Sequence, residues 1–191
     1  TEFPGDDDGS SLGEQLIGIT EANEQPRAGV AGEALANFVS EMRTDGEIAR
    51  AQQIAAGYSW GLVPVTGSEV AGVRYDAVHS LAGAWVPSGW EAASTTRYIH
   101  WSYTDFLSVA QDLGWVGEGR NPDVMPGFDK RIFDRPGDYD MRLGGELAPF
   151  VDPVGPPLRL PASPLKNHDL IVEVSSENFP LLNSLSEEMM R

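Results

Sequence analysis

Two helices are predicted early in the chain from the spacing of its apolar residues. Over Ala31–Met42, apolar side chains recur every three or four positions, which is the period of one helix face. A second apolar stripe covers Glu47–Ala56. The letters Thr44-x-x-Glu47 before it form a capping box, in which each residue caps the other's backbone N–H. The pattern therefore predicts two helices separated near Thr44, the second of them stopped by Gly57.

The middle of the chain has the pattern of short strands. Runs rich in β-branched and aromatic residues alternate with Pro, Gly and Ser, which is typical of an antiparallel sheet. The predicted strands cover residues 58–65, 70–81, 84–86, 97–101 and 169–174. Further helices are predicted over 104–113 and 180–190. The predicted fold class is α+β with a largely antiparallel sheet, and a jelly-roll-like sandwich is the alternative.

Two segments lack any regular pattern. Residues 1–14 are acidic and Gly-rich, which predicts a flexible arm. Residues 115–165 are dominated by Pro, Gly and Asp, which excludes long helices and central strands. We expect this second segment to be a long irregular extension that packs on its own sheet or wraps a partner. The whole chain, 1–191, is expected to be a single domain.

Charge narrows the classes of partner. The chain has 29 acidic residues against 13 basic ones, a formal charge of -16. Such a surface disfavours direct binding to nucleic acid and to anionic membranes. Scarce lysine with abundant Asp and Glu resembles the proteins of salt-loving organisms, so we expect adaptation to high salt. This expectation is compatible with a location in a virion or in a high-salt cytoplasm or extracellular medium.

Other features of the composition exclude further classes. The chain has no cysteine, so disulfides, thiolate catalysis and Cys-ligated zinc are excluded. No stretch approaches the ~20 apolar residues of a membrane span, so membrane insertion is not expected. The first residues lack the basic start and apolar run of a signal peptide.

Candidate chemistry is sparse in the sequence, and we expect no Gly-x-Ser-x-Gly nucleophile elbow, phosphate loop or cofactor motif in the chain. His79 and Ser80 with Asp76 could form a nucleophilic site, but neighbours on a strand point to opposite faces. His100, His168 and Asp169 could form a metal site. A cation could also be held in a loop by the carboxylates of Asp129, Asp134, Asp138 and Asp140. The catalytic and metal residues therefore stay unassigned, and no cofactor is expected.

A short stretch that begins Met42-Arg43-x-Asp45 and continues to Trp60 and Pro64 resembles an early segment of tailed-virus portal proteins. It covers a minor part of the chain, which is too short for a portal, so we assign no family. The predicted function is a non-enzymatic component of a larger assembly, such as a virus particle. The alternative is a hydrolytic enzyme, or an enzyme subunit, that uses carboxylates and a histidine.

Contacts with other subunits are predicted in the proline-rich extension. The expected apolar anchors are Phe128, Ile132, Phe133 and Phe150. Trp90, between Gly89 and Glu91 in a polar turn, is predicted to be the most exposed of the tryptophans.

Overall fold

A sheet of four parallel strands organises the protein. The computed structural model describes residues 25–103, 111, 116–133 and 170–190. Strands β1 (Ile54–Tyr58), β2 (Ala77–Leu81), β3 (Arg97–Tyr103) and β4 (Phe128–Phe133) lie side by side in that order. The architecture is therefore α/β, and the prediction of an α+β fold with a largely antiparallel sheet, or a jelly-roll-like sandwich, is wrong.

The burial of β2 explains this error. In β2, Ala77, Val78, His79 and Ser80 are all buried, because elements cover both faces of the sheet. Parallel strands in such a position lack the alternation of apolar and polar residues that marks a half-exposed antiparallel sheet. The connection from β2 to β3, residues 82–96, contains neither helix nor strand, so it looks like a hairpin connection in the sequence although it is a crossover.

Helices lie on both faces of the sheet. Four α-helices lie wholly within the described residues: α1 (Gln25–Met42), α2 (Gly46–Arg50), α3 (Leu62–Val70) and α4 (Phe179–Met189). Short 3-10 turns cover Ser59–Gly61 and Gly117–Gly119. On one face, residues of α1 and α3 share a core with Val78, Tyr98 and Phe128. On the other face, Leu181 of α4 packs with Ile99 and Trp101. The sheet is the middle layer of three.

Helices α1 and α3 approach each other at a pair of glycines. A Cβ added to Gly32 would lie 2.5 Å from the carbonyl carbon of Gly67, so only glycine fits there without displacing backbone. Ala28 and Ala36, one turn away on either side of Gly32, are also buried. These small residues let α1 lie closely against α3, which fixes α3 at the end of β1.

The first predicted helix is confirmed, although it begins earlier, at Gln25. The second is wrong beyond its first turn, because α2 ends at Arg50 and the chain then enters β1. Asp45, not Thr44, caps α2: its carboxylate accepts from the N–H groups of Glu47 at 2.8 Å and Ile48 at 3.3 Å. The Thr44 hydroxyl instead donates to the Glu41 carbonyl at 2.7 Å.

The other predicted elements had mixed outcomes. The strand over 97–101 is confirmed as part of β3, and the last helix is confirmed as α4. The predicted strand over 70–81 is correct only in its last five residues, 77–81, and 84–86 form no strand. The predicted strand over 169–174 is not found in its described part, where Leu170 is helical and 171–174 form turn and irregular structure. The predicted strand over 58–65 is wrong, because β1 ends at Tyr58 and most of this stretch is helical. Apart from Gln111, which is helical, the helix over 104–113 lies outside the described residues, as does the arm 1–14.

Part of the predicted irregular extension is regular. Within 115–165, the described residues 116–133 include β4, which pairs with β3 along six residues. Among the described helices, none combines the length and apolar character needed to cross a lipid bilayer.

Candidate active site

The connection from β1 to α3 is a sharp turn built around Ser59. β1 ends at Tyr58, Ser59–Gly61 form one 3-10 turn, and α3 begins at Leu62. Ser59 has a φ of 51°, in the left-handed region that residues other than glycine rarely enter. Such strain persists only where surrounding structure enforces it, and it is concentrated at functional sites. Ser59 is therefore the first candidate for chemistry.

The sequence of this turn is Gly57-Tyr58-Ser59-Trp60-Gly61, which has the pattern Gly-x-Ser-x-Gly. In the nucleophile elbow of α/β hydrolases, this pattern places a serine on a strained strand-to-helix turn at the end of the sheet. The prediction that the chain has no elbow is wrong. The five-residue pattern in the sequence could have identified the turn. It was missed because residues 58–65 were predicted to be one strand, whereas a strand ends, a turn follows and a helix begins there.

Steric contacts and hydrogen bonds hold the turn in place. A Cβ added to Gly57 would lie 2.6 Å from the backbone nitrogen of Leu62, so the first glycine of the pattern lets the start of α3 press against β1. The Ser59 carbonyl accepts from the N–H of Ala84 at 3.0 Å and from the N–H of Leu62. These contacts enforce the left-handed backbone of Ser59.

The surroundings of Ser59 suit a developing negative charge. Ser59 follows the carboxyl end of a parallel strand, the edge at which open α/β sheets bind ligands. The N–H of Trp60 directly follows the serine, the position that supplies one oxyanion donor in such elbows. α3 begins just beyond, and a helix N-terminus carries partial positive charge.

The loop that follows β2 supports the elbow from the side. Ala82 also has a left-handed backbone, with a φ of 44°. Gly83 is packed so closely that an added Cβ would clash with the Ser80 hydroxyl and with the Leu62 side chain. The buried amide of Gln111 donates to the carbonyls of Gly83 and Ala84. The loop that holds the Ser59 carbonyl is therefore itself anchored.

An apolar cluster lies beside Ser59. Trp60 is partly buried and packs against a cluster formed by Ala28, Val63, Ala84, Trp85 and Val116. The Trp85 indole is fully buried, and its N–H has no acceptor among the described residues. The side chain that follows Ser59 is therefore anchored on an apolar cluster of the core.

A second serine lies close to a histidine and a carboxylate inside the sheet. Ser80 and His100 are register partners on β2 and β3, and the Ser80 hydroxyl lies 2.7 Å from His100 Nδ1. His100 Nε2 lies 3.6 Å from Asp123 Oδ1, within ion-pair range but longer than a hydrogen bond. These are the residue types of a nucleophilic triad. However, Ser80 has no exposed surface and lies in a regular strand, so this network is structural.

The group predicted from His79, Ser80 and Asp76 is not formed. Ser80 faces His100, whereas His79 lies on the opposite face, where its Nδ1 accepts from the Trp101 indole N–H at 3.1 Å. The Asp76 carboxylate accepts from the backbone N–H of Gln53 at 2.6 Å, before β1 begins. Burial lowers the pKa of His79, and the charges of Glu188 and Arg97 act on it in opposite directions.

Helix α3 carries a buried carboxylate, Glu69, near its end. Glu69 accepts from the Trp90 indole at 2.7 Å and from the Tyr98 hydroxyl at 2.8 Å. Burial raises the pKa of Glu69, opposed by these two hydrogen bonds and by the charge of Arg74. Its donors come from the core, so we interpret Glu69 as an internal anchor of the sheet.

The predicted contact residues fall in different environments. The prediction that Trp90 is exposed is wrong, since it is 2% exposed and packs on Tyr98 and Phe128. Phe128 is buried at 8%, Phe133 is partly buried, and Ile132 is 56% exposed. Phe150 lies outside the described residues.

No metal centre is found in the described part of the chain. There, no group of three His, Asp or Glu residues is arranged to hold an ion. Asp129, a predicted cation ligand, instead pairs with Arg131 at 2.7 Å. The other residues named for a cation, Asp134, Asp138, Asp140, His168 and Asp169, lie outside the described residues.

Comparison with family models, curated proteins and solved structures gave no match to this chain.

Proposed function

We propose that this chain carries a serine hydrolase site, which cleaves an ester or related acyl bond with Ser59 as the nucleophile. The observation that supports it is the left-handed φ of 51° at the serine of a Gly-x-Ser-x-Gly turn. The position of that turn, between a parallel strand and a helix, is the structural context that the motif requires. The proposal keeps the hydrolytic alternative from the sequence but changes the nucleophile to a serine.

The proposed reaction has two acyl-transfer steps. Ser59 Oγ attacks the carbonyl carbon of the substrate while a general base takes its proton, and the N–H of Trp60 donates to the oxyanion. The bond to the leaving alcohol breaks, the alcohol receives the proton, and the acyl group stays on Ser59. Water then attacks the acyl enzyme with the same base as proton acceptor, which releases a carboxylic acid and regenerates the serine.

The order of residues along the chain suggests which acid and which histidine would act with Ser59. In hydrolases with this elbow, the order is serine, acid, histidine. Of the three histidines, His79 is hydrogen-bonded to Trp101 and His100 to Ser80. His168 comes after β4 in the chain, so it is the proposed general base. Asp105 follows the end of β3 by two residues and Asp134 directly follows β4. Asp105, Asp134 and His168 lie outside the described residues, so they are proposed from their position in the chain alone.

The partly exposed side chain of Trp60 suggests the substrate class. Trp60, the chain neighbour of Ser59, is partly exposed and packs against an apolar cluster that includes the buried Trp85. Burial of apolar surface favours binding at ~25 cal/mol per Å². We therefore expect esters with an apolar acyl group to be better substrates than short polar ones.

Covalent labelling tests the proposal. The chain is incubated with a fluorophosphonate probe, and the modified residue is identified by intact mass and peptide mapping. We expect one adduct, on Ser59, which is absent in Ser59→Ala and retained in Ser80→Ala. Hydrolysis of a p-nitrophenyl ester should fall on the order of 10⁴-fold or more in Ser59→Ala, and strongly in His168→Ala.

The matched serine variant makes the experiment decisive. Ser80 is a buried serine hydrogen-bonded to a histidine, so Ser80→Ala tests whether that pair, rather than Ser59, reacts with the probe. Absence of an adduct on a folded chain, or an adduct that survives Ser59→Ala, would refute the proposed site. Circular dichroism of each variant shows whether the fold is retained.

The predicted role as an assembly component stays a prediction. The observation that favours it is the exposed Ile132, which lies on β4 at one edge of the described sheet. Mass measurement at low and high salt tests it, and a monomer under both conditions would count against it.

A further inference from the structure

A groove lies at the opposite end of the sheet from Ser59. It forms where the ends of α1 and α2 and the loop after α3 meet the amino ends of β1 and β2, and its volume is about 580 Å³. Its polar lining consists of Arg43, Arg50, Gln52, Gln53, Arg74 and Asp76. With a rise of ~3.3 Å per residue, β1 separates it from the elbow by roughly 16 Å.

The charge in this groove is opposite to that of the chain. Three guanidinium groups and one carboxylate line it, whereas the whole chain has 29 acidic and 13 basic residues. Elsewhere in the described part of the chain, Arg97 and Arg131 pair with carboxylates at 2.7 Å. None of the groove arginines is in such a pair.

Two of these arginines are fixed by backbone carbonyls. Arg74 Nη1 donates to the carbonyls of Glu69 at 2.8 Å and Val73 at 2.6 Å, where α3 ends. Arg43 Nη2 donates to the Arg74 carbonyl at 2.5 Å. A guanidinium has five N–H donors, so both side chains are held in place with donors to spare.

The third arginine, Arg50, makes no such contact in the described part of the chain. Arg50 ends α2, and its guanidinium meets no acceptor among the described residues. The carboxylate in the groove lining, Asp76, already accepts from the Gln53 N–H at 2.6 Å. The groove therefore gathers like charges that repel one another, and an anion bound among them would relieve that repulsion.

We propose that this groove is an anion site that takes the phosphoryl group of a small phosphorylated molecule. Guanidinium groups bind phosphate oxygens in pairs of parallel hydrogen bonds, and three of them match a tetrahedral anion better than a planar carboxylate. The volume exceeds that of phosphate alone and lies in the range of small-molecule sites. The proposal is independent of the chemistry assigned to Ser59.

Calorimetric titration of the full chain tests the site with defined anions. Inorganic phosphate and pyrophosphate are the probes, succinate is the carboxylate arm, and ionic strength is held constant. We expect saturable binding of both phosphates and weaker binding of succinate. Arg50→Gln should weaken phosphate binding roughly tenfold, the effect of one lost charge-assisted contact.

Two further variants sharpen the outcome. Arg131→Gln removes an exposed arginine that pairs with Asp129 outside the groove, and it should leave phosphate affinity unchanged. Asp76→Asn keeps an oxygen for the Gln53 N–H but removes the negative charge, so it should tighten binding. Lack of saturable phosphate binding would overturn the proposal. It would also be overturned by equal affinities in Arg50→Gln and Arg131→Gln, or by succinate binding as tightly as phosphate.

Discussion

At the scale of single residues, the strained backbone of Ser59 lowers the stability of the fold but suits the proposed activity. A left-handed backbone costs a non-glycine residue about 1–2 kcal/mol, and Ser59 adopts it with a φ of 51°. Its carbonyl is held by the N–H groups of Ala84 and Leu62, so the surrounding fold bears this cost. The conformation is therefore unfavourable for stability but suits the presentation of a nucleophile.

We predict that Ser59→Gly is more stable than Ser59→Ala by about 1 kcal/mol, because glycine adopts this backbone without strain. Both variants lose the hydroxyl, so the comparison isolates the backbone, and neither should hydrolyse esters. Urea unfolding measures the difference. An alanine variant as stable as the glycine variant would show that the turn is not strained.

His79 is a second residue with a measurable signature. Burial lowers its pKa, so the unfolded chain binds a proton more readily than the folded one. Stability from the neutral imidazole is complete above its unfolded pKa of ~6.5 and falls as pH drops through it. We predict that the melting temperature falls as the pH is lowered from about 7.5 to about 5. The fall should be less steep in His79→Asn.

The asparagine variant is the matched change, because its side-chain oxygen can still accept from the Trp101 indole, which bonds to His79 Nδ1. Its absolute stability should be lower, since the side chain is smaller. The slope of melting temperature against pH is therefore the relevant measurement. Parallel slopes in both proteins would assign the acid sensitivity to other groups.

At the scale of elements, the sequence predicts those whose pattern matches their exposure. Apolar stripes or aromatic runs mark α1, β3 and α4, so these elements could be predicted from the sequence. β1 and α3 were not, because the stretch from Ile54 to Val70 is almost continuously small or apolar. Pro64 was a misleading signal there: it suggested the end of a strand, whereas it lies in the first turn of α3, where proline is tolerated.

The candidate site was less predictable than the helices for the same reason. Its pentapeptide is visible in the letters, but its meaning depends on a strand before it and a helix after it. The groove arginines come from three separate places in the chain: Arg43 follows α1, Arg50 ends α2, and Arg74 lies between α3 and β2. Only the topology of the sheet brings them together. No spacing in the sequence indicates that arrangement.

The α1–α3 contact gives a prediction at this scale. We predict that Gly32→Ala lowers the free energy of unfolding by about 1–3 kcal/mol, because its Cβ would lie within 2.8 Å of Gly67 backbone atoms. The control is Gly29→Ala in the same helix, where nothing lies within 4 Å. That change should stabilise by up to ~1 kcal/mol. Urea unfolding of both variants decides, and equal stabilities would contradict the close packing.

At the scale of the whole molecule, the two proposed sites lie at opposite ends of the sheet. The carboxyl end of β1 presents the elbow, and the amino ends of β1 and β2 border the arginine groove. The groove draws its charge from a small pool of 13 basic residues. The rest of the chain is therefore even more acidic than its net charge of -16 suggests.

This charge leads to the prediction that salt stabilises the fold. Raising ionic strength from ~0.01 M to ~1 M shortens the Debye length from ~30 Å to ~3 Å, so repulsion among carboxylates across the molecule is screened. The melting temperature should therefore climb along a sodium chloride series. A potassium chloride series controls for the identity of the cation. Chloride is preferred to phosphate here, because phosphate would also occupy the proposed groove. A melting temperature that stays flat or falls as chloride rises would refute adaptation to high salt, whatever the function of Ser59.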